Sequence, residues 1–216
     1  MRITISKENY LKAIAEAESE GETVKAVTLT RWLQVSAPAV TMAIKRLRRD
    51  ALIRLGNEGQ IKLTPAGREI ANRLLNRHHL IERMLTEIFE MEWYKVHDEA
   101  EQMEHAVSAD FERKLIDKLG VGGVCPHGNI VGMDSPRDRR RRGLKPLDEV
   151  NPGETPAIVS VYERDRKLLE DLDRAGIRPG VRVEVISSGE GVDLQVEGER
   201  LRIERPVASK LWVSNK

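Results

Sequence analysis

The chain has 216 residues and a formal net charge of +1, and it is 40% hydrophobic, 33% charged and only 4% aromatic. This length fits one large domain or two to three small ones, and the composition is typical of a soluble, helix-rich protein. We find neither a signal-peptide pattern nor an apolar run near the roughly 18 residues of a membrane span. Because Cys125 is the single cysteine, an intramolecular disulfide is excluded, and a reducing cytoplasm is the expected location.

The N-terminal part has the pattern of a helix-turn-helix. Residues 6–19 and 28–33 each place apolar side chains at helical spacing. Ser36 is a helix cap, and Pro38 falls in the first turn of a third helix, where its missing N–H is tolerated. Between residues 31 and 54 there are six basic residues against one acid. A basic second element suits the major groove of DNA, although an ordinary basic solvent face gives the same pattern.

A predicted hairpin directly after the basic helix distinguishes these two interpretations. Ile53 and Leu55 alternate with polar residues, residues 56–59 (GNEG) form a turn, and Ile61 and Leu63 alternate again. A helix-turn-helix followed by such a hairpin is a winged helix. The sequence therefore predicts a DNA-binding domain whose hairpin contacts the minor groove or the backbone.

We expect one set of side chains on the third helix to face base edges and another to contact phosphates. The base-facing set is Ser36, Pro38, Ala39 and Met42, and the backbone set is Thr41, Lys45, Arg46 and Arg48.

A long helix is predicted after Thr64 and Pro65, and it leads into residues 76–108, which hold four of the five histidines. Such a helix bridges the winged domain and the histidine-rich stretch. It is therefore suited to carry a metal signal to the DNA-binding element.

Histidines and carboxylates recur at helical spacing within residues 76–108. On a helix, the side chains at positions 97, 101, 104 and 105 fall within an arc of roughly 80–100°. Crowded imidazoles and carboxylates are costly without a cation, so a divalent metal is favoured. The alternative is a solvated charged face with hydrogen-bonded histidines. The candidate ligands are His78, Glu82, His97, Glu101, Glu104 and His105.

The remaining sequence divides into a glycine-rich stretch and a β-rich stretch. Residues 120–153 are typical of a linker, and the arginine-rich run 137–142 fits either a DNA-backbone arm or a mobile solvated loop. From residue 154 on, short alternating strands around a helical insert at 166–175 predict a small β-barrel. This barrel is expected to be a binding or regulatory module.

With these elements in order, the chain resembles, nearly end to end, the diphtheria-toxin-repressor family of metal-dependent transcriptional repressors. The resemblance rests on ENYLKAI, VSAPAVTMAIKRL, LTPAGREIA, HHLIERML, KVHDEAEQMEH, CPHGN and GIRPGVRVEV. It implies a mainly α fold with small β elements. The expected divisions are a winged helix-turn-helix at 1–64, a helical metal-binding and dimerisation domain at 65–140, a linker at 141–153 and an SH3-like domain, similar to FeoA, at 154–216.

The resemblance also implies a metal site at His78, Glu82 and His97. In the family this site is completed by polar groups from the SH3-like domain, for which Glu163 and Asp165 are the nearest candidates here. The expected site therefore draws its ligands from two parts of the chain.

A second implied site consists of Glu101, Glu104 and His105, together with Asn9 from the first helix. Iron-responsive members carry cysteine in place of Glu101 and methionine in place of Asn9, whereas manganese-responsive members carry carboxylates at both positions. Lys12 stands where some manganese-responsive members have a further glutamate. Because an oxygen-rich shell suits Mn(II), we expect Mn(II) first and Fe(II) second, with two sites per subunit.

The implied partners are double-stranded operator DNA and a second copy of the chain, with a dimer seam along the apolar faces of residues 84–119. Neither a membrane nor a small organic substrate is expected. A dinuclear carboxylate enzyme is an alternative, but such sites usually contain two Glu-x-x-His repeats, which this chain lacks. A metal-independent DNA-binding protein is a further alternative, which a chelator distinguishes because the DNA affinity of such a protein would not change.

Overall fold

The computed structural model describes residues 3–215. The described residues divide into two compact units, the first made of residues 3–78 and 131–136 and the second of residues 79–130 and 137–215. Within residues 3–215, every helix is too short or too polar to cross a membrane.

The first unit is the predicted winged helix. Its apolar core draws on all of its helices and on both strands, with Leu11, Leu29, Leu47 and Ile61 each almost fully buried. The two strands pair antiparallel, with Ile53 opposite Leu63. The elements are α1 (Ile5–Ser19), α2 (Ala26–Leu33), α3 (Ala37–Arg49), β1 (Ile53–Leu55), β2 (Ile61–Leu63) and α4 (Pro65–Glu87), and α4 continues into the second unit.

Side-chain caps set the helix boundaries of this unit. The Ser36 hydroxyl accepts a hydrogen bond from the Ala39 N–H at 3.4 Å, as expected for the N-cap of α3. Before α4, the Thr64 hydroxyl accepts from the Gly67 N–H at 3.2 Å and donates to the Ala51 carbonyl at 2.7 Å. Thr64 therefore ties the start of α4 to the loop that follows α3.

The helical part of the second unit contains α5 (Val96–Met103), α6 (Ala109–Leu119) and α7 (Pro136–Arg141). The C-terminal half of α4 packs against α5 and α6 through an apolar cluster that includes Ile81 and Leu115. Helix α5 ends at Met103, and Glu104 is its C-cap. The helical register predicted to extend through His105 therefore stops short of that residue.

The β-rich part of the second unit forms two three-stranded sheets, ordered β3-β8-β4 and β5-β6-β7, in which all neighbours pair antiparallel. The sequence did not predict β3 or β8. Leu211, Trp212 and Val213 of β8 are all buried, so the alternation of a half-buried strand is absent. The elements are β3 (Lys145–Pro146), β4 (Ala157–Val161), α8 (Arg166–Arg174), β5 (Glu184–Ser188), β6 (Gly191–Val196), β7 (Glu199–Glu204), α9 (Arg205–Ala208) and β8 (Leu211–Ser214).

The glycine-rich segment 120–153 is largely packed rather than a free spacer. Leu147 and Val150 lie in the same apolar core as the two sheets. In the arginine run, Arg139 is 3% exposed with its guanidinium carbon 5.2 Å from the Trp212 ring centroid, and Arg140 donates to Glu149 at 2.6 and 2.8 Å. These two arginines are engaged inside the chain, unlike those of a mobile arm. The expected domain boundaries remain predictions.

Candidate metal centre

Six ionisable side chains come together in the second unit. They are contributed by α4, α5, a turn at residues 125–129 and the chain just after β4. All are buried except Glu163, whose side chain is 12% exposed. The six are His79, Glu82, His97, Cys125, His127 and Glu163.

The turn at residues 125–129 has the sequence CPHGN and holds two of these side chains. The Gly128 N–H donates to the Cys125 carbonyl at 2.8 Å, and the Cys125 N–H donates to the Asn129 carbonyl at 3.1 Å. Gly128 has φ +86°, and a Cβ there would lie 1.9 Å from the Val159 carbonyl oxygen of β4. Only glycine permits this close approach of the turn to the strand.

The Glu163 carboxylate is the hub of the cluster. Its Oε2 accepts from Asn129 Nδ2 at 2.6 Å and from Cys125 Sγ at 3.4 Å, and it lies 3.5 Å from His127 Nδ1. Its Oε1 lies 3.9 Å from His79 Nε2. Glu163 therefore links the turn with the histidine of α4.

Glu82 of α4 faces two imidazoles. Its Oε1 lies 3.2 Å from His97 Nδ1 and 3.4 Å from His127 Nδ1. On the other side of its ring, His127 Nε2 lies 2.9 Å from the Trp93 carbonyl. Because a carbonyl only accepts, Nε2 carries a proton, and Nδ1 is the atom directed at the carboxylates.

The electrostatics follow from burial and from the two carboxylates. Burial opposes the imidazolium form of His127, but Glu82 and Glu163 outweigh it and raise the pKa of His127 to about 10. Burial and Glu82 oppose ionisation of Glu163, yet the His127 hydrogen bond and nearby histidines bring the pKa of Glu163 below its ordinary value. Burial, followed by the charges of Glu163 and Glu82, raises the pKa of the Cys125 thiol well above its ordinary value. The thiol is therefore protonated in the free protein.

The predicted ligands His78 and Asn9 belong to the first unit. His78 is fully buried, and its Nδ1 accepts a hydrogen bond from the buried Lys12 ammonium at 3.1 Å. Glu16 lies 3.8 Å from the same ammonium. Asn9 is exposed on α1. That His78 shares a metal site with Glu82 and His97, and Asn9 with Glu101, remain predictions.

The other predicted ligands of the second site differ in burial. Glu104 is 3% exposed, and its Oε1 lies 3.5 Å from His105 Nε2. The Glu101 side chain is 42% exposed, with its Oε1 3.3 Å from Arg164 Nη1 and 3.7 Å from His97 Nε2. Glu101 is thus held in an exposed ion pair, whereas Glu104 and His105 already adjoin each other.

The two candidates from the C-terminal part have different environments. Glu163 lies in the buried cluster, whereas Asp165 is exposed and accepts from the Leu168 N–H at 3.0 Å as the N-cap of α8. The Asp165 side chain therefore serves to cap a helix.

Sequence reasoning did not single out His79, Cys125 or His127 as site residues. Cys125 and His127 lie in a glycine-rich stretch without helical or strand periodicity, so spacing gave no reason to align them with a histidine-rich helix. The signal that was present is the motif CPHGN, which contributed to the family resemblance.

The side chains on the predicted DNA-binding face are accessible in the first unit. Met42 is 49% exposed, while Val40, Ala43 and Leu47 form the buried side of α3. Each of the expected base-facing and backbone-facing residues is exposed, namely Ser36, Pro38, Ala39, Thr41, Met42, Lys45, Arg46 and Arg48.

The sequence matches three family descriptions in succession. Residues 2–58 match the N-terminal DNA binding domain of the iron dependent repressors, and residues 64–131 match their metal binding and dimerisation domain. Residues 145–215 match the FeoA domain.

Individual relatives are similar to this chain over most of their length. The diphtheria toxin repressor of Corynebacterium efficiens is 31% identical over 191 residues, covering 83% of this chain and 82% of that protein. The iron-dependent repressor IdeR of Mycobacterium tuberculosis is 31% identical over 203 residues, covering 88% of each. A solved structure of a manganese-dependent transcriptional repressor in complex with manganese has a TM-score of 0.84 at 27% identity, covering 96% of this chain and 99% of that one.

A winged helix, a helical unit and a FeoA domain in this order define a metal-dependent transcriptional repressor. The chain belongs to the iron-dependent repressor family, whose members include the diphtheria toxin repressors.

The close approach at Gly128 yields a prediction for stability. We expect Gly128→Ala to lower the free energy of unfolding of the second unit by about 3 kcal/mol, because alanine adds overpacking to a strained left-handed backbone. Urea unfolding followed by tryptophan fluorescence measures this, since Trp93 contacts His127. The control is Gly189→Ala, where an added Cβ meets open space. Equal midpoints for the two variants would contradict the packing argument.

Proposed function

We propose that the protein is a homodimeric repressor that binds operator DNA when it is loaded with Mn(II), and that it controls genes of metal-ion transport. The observation that carries the metal preference is the oxygen-rich set of Glu101, Glu104 and His105. Glu104 is buried beside His105. Carboxylate and imidazole ligands hold Mn(II), which is the weakest binder of its series, better than a thioether would. In this proposal the metal is a regulatory ligand and not a catalyst, and the location is cytoplasmic.

Glu101 is able to join such a site at low cost. Its partner Arg164 lies at 3.3 Å, and the Glu101 side chain is 42% exposed. Exposed ion pairs contribute at most about 1 kcal/mol, so a divalent cation competes readily for this carboxylate. The bound cation would offset the repulsion between Glu101 and Glu104, and Asn9 is the further ligand that we propose.

Fe(II) is the second candidate ion. It is favoured by the similarity to the iron-dependent repressor IdeR of Mycobacterium tuberculosis, at 31% identity over 203 residues. Both ions accept carboxylate and imidazole ligands, so a titration with each ion ranks the two candidates.

We predict that Glu101 decides the metal response. Glu101→Ala should abolish activation of DNA binding by any ion at this site, since too few ligands remain. Glu101→Cys should weaken the Mn(II) response and strengthen the responses to Fe(II), Co(II) and Zn(II), because a thiolate is a softer ligand. Operator affinity, measured against metal concentration in anaerobic buffer, tests both variants.

The matched control for these variants is Glu99→Ala, which removes a carboxylate from the same helix at a position outside the proposed ligand set. The control should respond to Mn(II) like the wild type. If Glu101→Ala also binds operator like the wild type at the same Mn(II) concentration, Glu101 is not a ligand, and the manganese assignment loses its main support.

The proposed DNA contacts are those of the exposed face of α3. Lys45, Arg46 and Arg48 are exposed and suited to phosphates, whereas few of the base-facing candidates can form a bidentate hydrogen bond. Sequence preference should therefore depend on methyl contacts, water and DNA shape.

We predict that Lys45→Ala weakens binding to all DNA sequences alike and reduces the slope of log affinity against log salt by about one. Fluorescence anisotropy at several salt concentrations, on operator and on unrelated DNA, measures both effects. The control is Lys167→Ala, which removes the same charge from an exposed position on α8. A loss confined to a single base pair would mean that Lys45 contacts a base.

The proposed dimer seam uses apolar side chains that the single chain leaves exposed. Within the predicted range of residues 84–119, Phe89 is 65% exposed and Phe111 is 45% exposed. Met84, at the start of that range, is 3% exposed and packs in the chain's own helical cluster. The matched metal binding and dimerisation description, residues 64–131, supports a seam in this part of the chain.

We predict that Phe89→Lys weakens self-association by roughly tenfold or more, because it places a charge in an apolar interface. Sedimentation equilibrium with and without Mn(II) measures the dimer dissociation constant. The control, Val27→Lys, alters a valine of the first unit that is 72% exposed and should leave association unchanged. Wild-type protein that stays monomeric at micromolar concentration would contradict the seam and the dimer together.

A further inference from the structure

Lys12 of α1 is buried beside His78 of α4 in the first unit. We propose that the Lys12 ammonium is a built-in cation that takes the place of a metal ion at His78, so that His78 is not a metal ligand in this chain. The regulatory Mn(II) is then held by other side chains, and in this respect alone the proposal rests on the proposed function.

The chain encloses the ammonium on several sides. Lys12 is 4% exposed, Glu16 is 8% exposed, and His78 is fully buried. Lys12 Nζ lies 3.1 Å from His78 Nδ1 and 3.8 Å from Glu16 Oε1, one helical turn further along α1. A lysine is almost never buried unless it is paired, because its ammonium loses hydration. These contacts therefore hold a cation at a defined position between α1 and α4.

The hydrogen bond to Lys12 determines which nitrogen of His78 carries a proton. An ammonium group only donates, so Nδ1 of His78 accepts with its lone pair. The neutral imidazole then has its proton on Nε2. A metal ligand must offer a nitrogen lone pair, and neither nitrogen of this ring has one to spare. His78 can bind a metal ion only if Lys12 leaves.

The groups around the ammonium are those that a divalent ion would use. Imidazole nitrogen and carboxylate oxygen are ordinary ligands of Mn(II) and Zn(II), and here one of each lies within 3.8 Å of Lys12 Nζ. A divalent ion at His78 would lie close to the ammonium, and two positive charges repel strongly in a buried site. The position accommodates one cation, and the chain itself supplies it.

The alternative role for Lys12 is that of a temporary partner. In that case Lys12 contacts His78 only in the metal-free protein, and a metal ion displaces the ammonium on loading. The two roles make opposite predictions about the number of bound ions, because only the temporary partner lets His78 contribute to a metal site.

The first test is the number of Mn(II) ions bound by wild-type protein and by His78→Gln. Equilibrium dialysis of the full-length protein against Mn(II) chloride measures this number and the affinity. The glutamine carbonyl oxygen can still accept from Lys12. We expect the same number of ions and the same affinity for both proteins. The loss of one ion per chain in a folded His78→Gln variant would overturn the proposal.

The second test removes the built-in cation. Lys12→Glu places a carboxylate beside Glu16 and His78, and we expect it to bind one Mn(II) per chain more than wild type. Adding His78→Gln to this variant should remove the gain. The control Lys167→Glu makes the same charge change at an exposed position on α8 and should bind the wild-type number.

A Lys12→Glu variant that is folded and gains no ion would show that the position beside His78 is not a cation site. Circular dichroism identifies a variant that fails to fold, and the other variant then decides. The ions are counted without DNA. A lost ion in His78→Gln would leave the Mn(II)-dependent repressor proposal standing, and a failure of Mn(II)-triggered DNA binding would leave the role of Lys12 standing.

Discussion

The constraint on which the second unit depends is the burial of two carboxylates, Glu82 and Glu163, close to one another. Taking a carboxylate out of water is expensive unless it meets positive charge and hydrogen-bond donors. Here the His127 imidazolium faces both carboxylates, and the Asn129 amide donates to Glu163. Removing one partner from such a network costs about 3–5 kcal/mol, because a buried charge is left uncompensated. The CPHGN turn, which holds both His127 and Asn129, is therefore a structural requirement of the second unit.

This charge balance depends on pH in a definite direction. The pKa of His127 is raised from 6.5 to about 10 in the folded chain, so its stabilising contribution is fully present below pH 6.5 and is lost as the pH rises through 10. At neutral pH the network is therefore nearly at full strength. A second cation, Arg139, supports this network indirectly through Asn129. Arg139 donates to Asn129 Oδ1 at 3.1 Å, and its guanidinium lies over the Trp212 ring.

Much of the fold could be predicted from local signals in the sequence. Ser36 and Thr64 mark helix starts through their hydroxyl groups, and the alternation around residues 56–59 defines the wing, because caps and turns depend on neighbouring residues only. The buried cluster depends on partners far apart in sequence. Cys125 contacts Glu163 across 38 residues, and no periodicity relates the two.

The candidate site contains residues whose roles the sequence pattern alone does not predict. Glu163 and Asp165 are two residues apart and chemically alike, yet one enters a buried cluster and the other caps α8. The difference is set by where β4 ends and α8 begins, which the spacing of carboxylates does not reveal. In the same way, the arginine run suggested free positive charge, but Arg139 and Arg140 are used by internal partners that only the tertiary fold supplies.

The position of β8 in its sheet bears on the order in which the protein matures. β8 is the middle strand of β3-β8-β4, so β3 and β4 can pair only after β8 has been synthesised. Lys145 then pairs with Val213, and Ala157 pairs with Ser214. During synthesis, the winged helix, whose contacts are local in sequence, can fold long before β4 pairs with β8. Glu163, which follows β4, is positioned at that later stage. A nascent chain can therefore have a folded winged helix before its buried cluster is complete. Until β4 is paired, the cluster of such a chain lacks Glu163 in its final position.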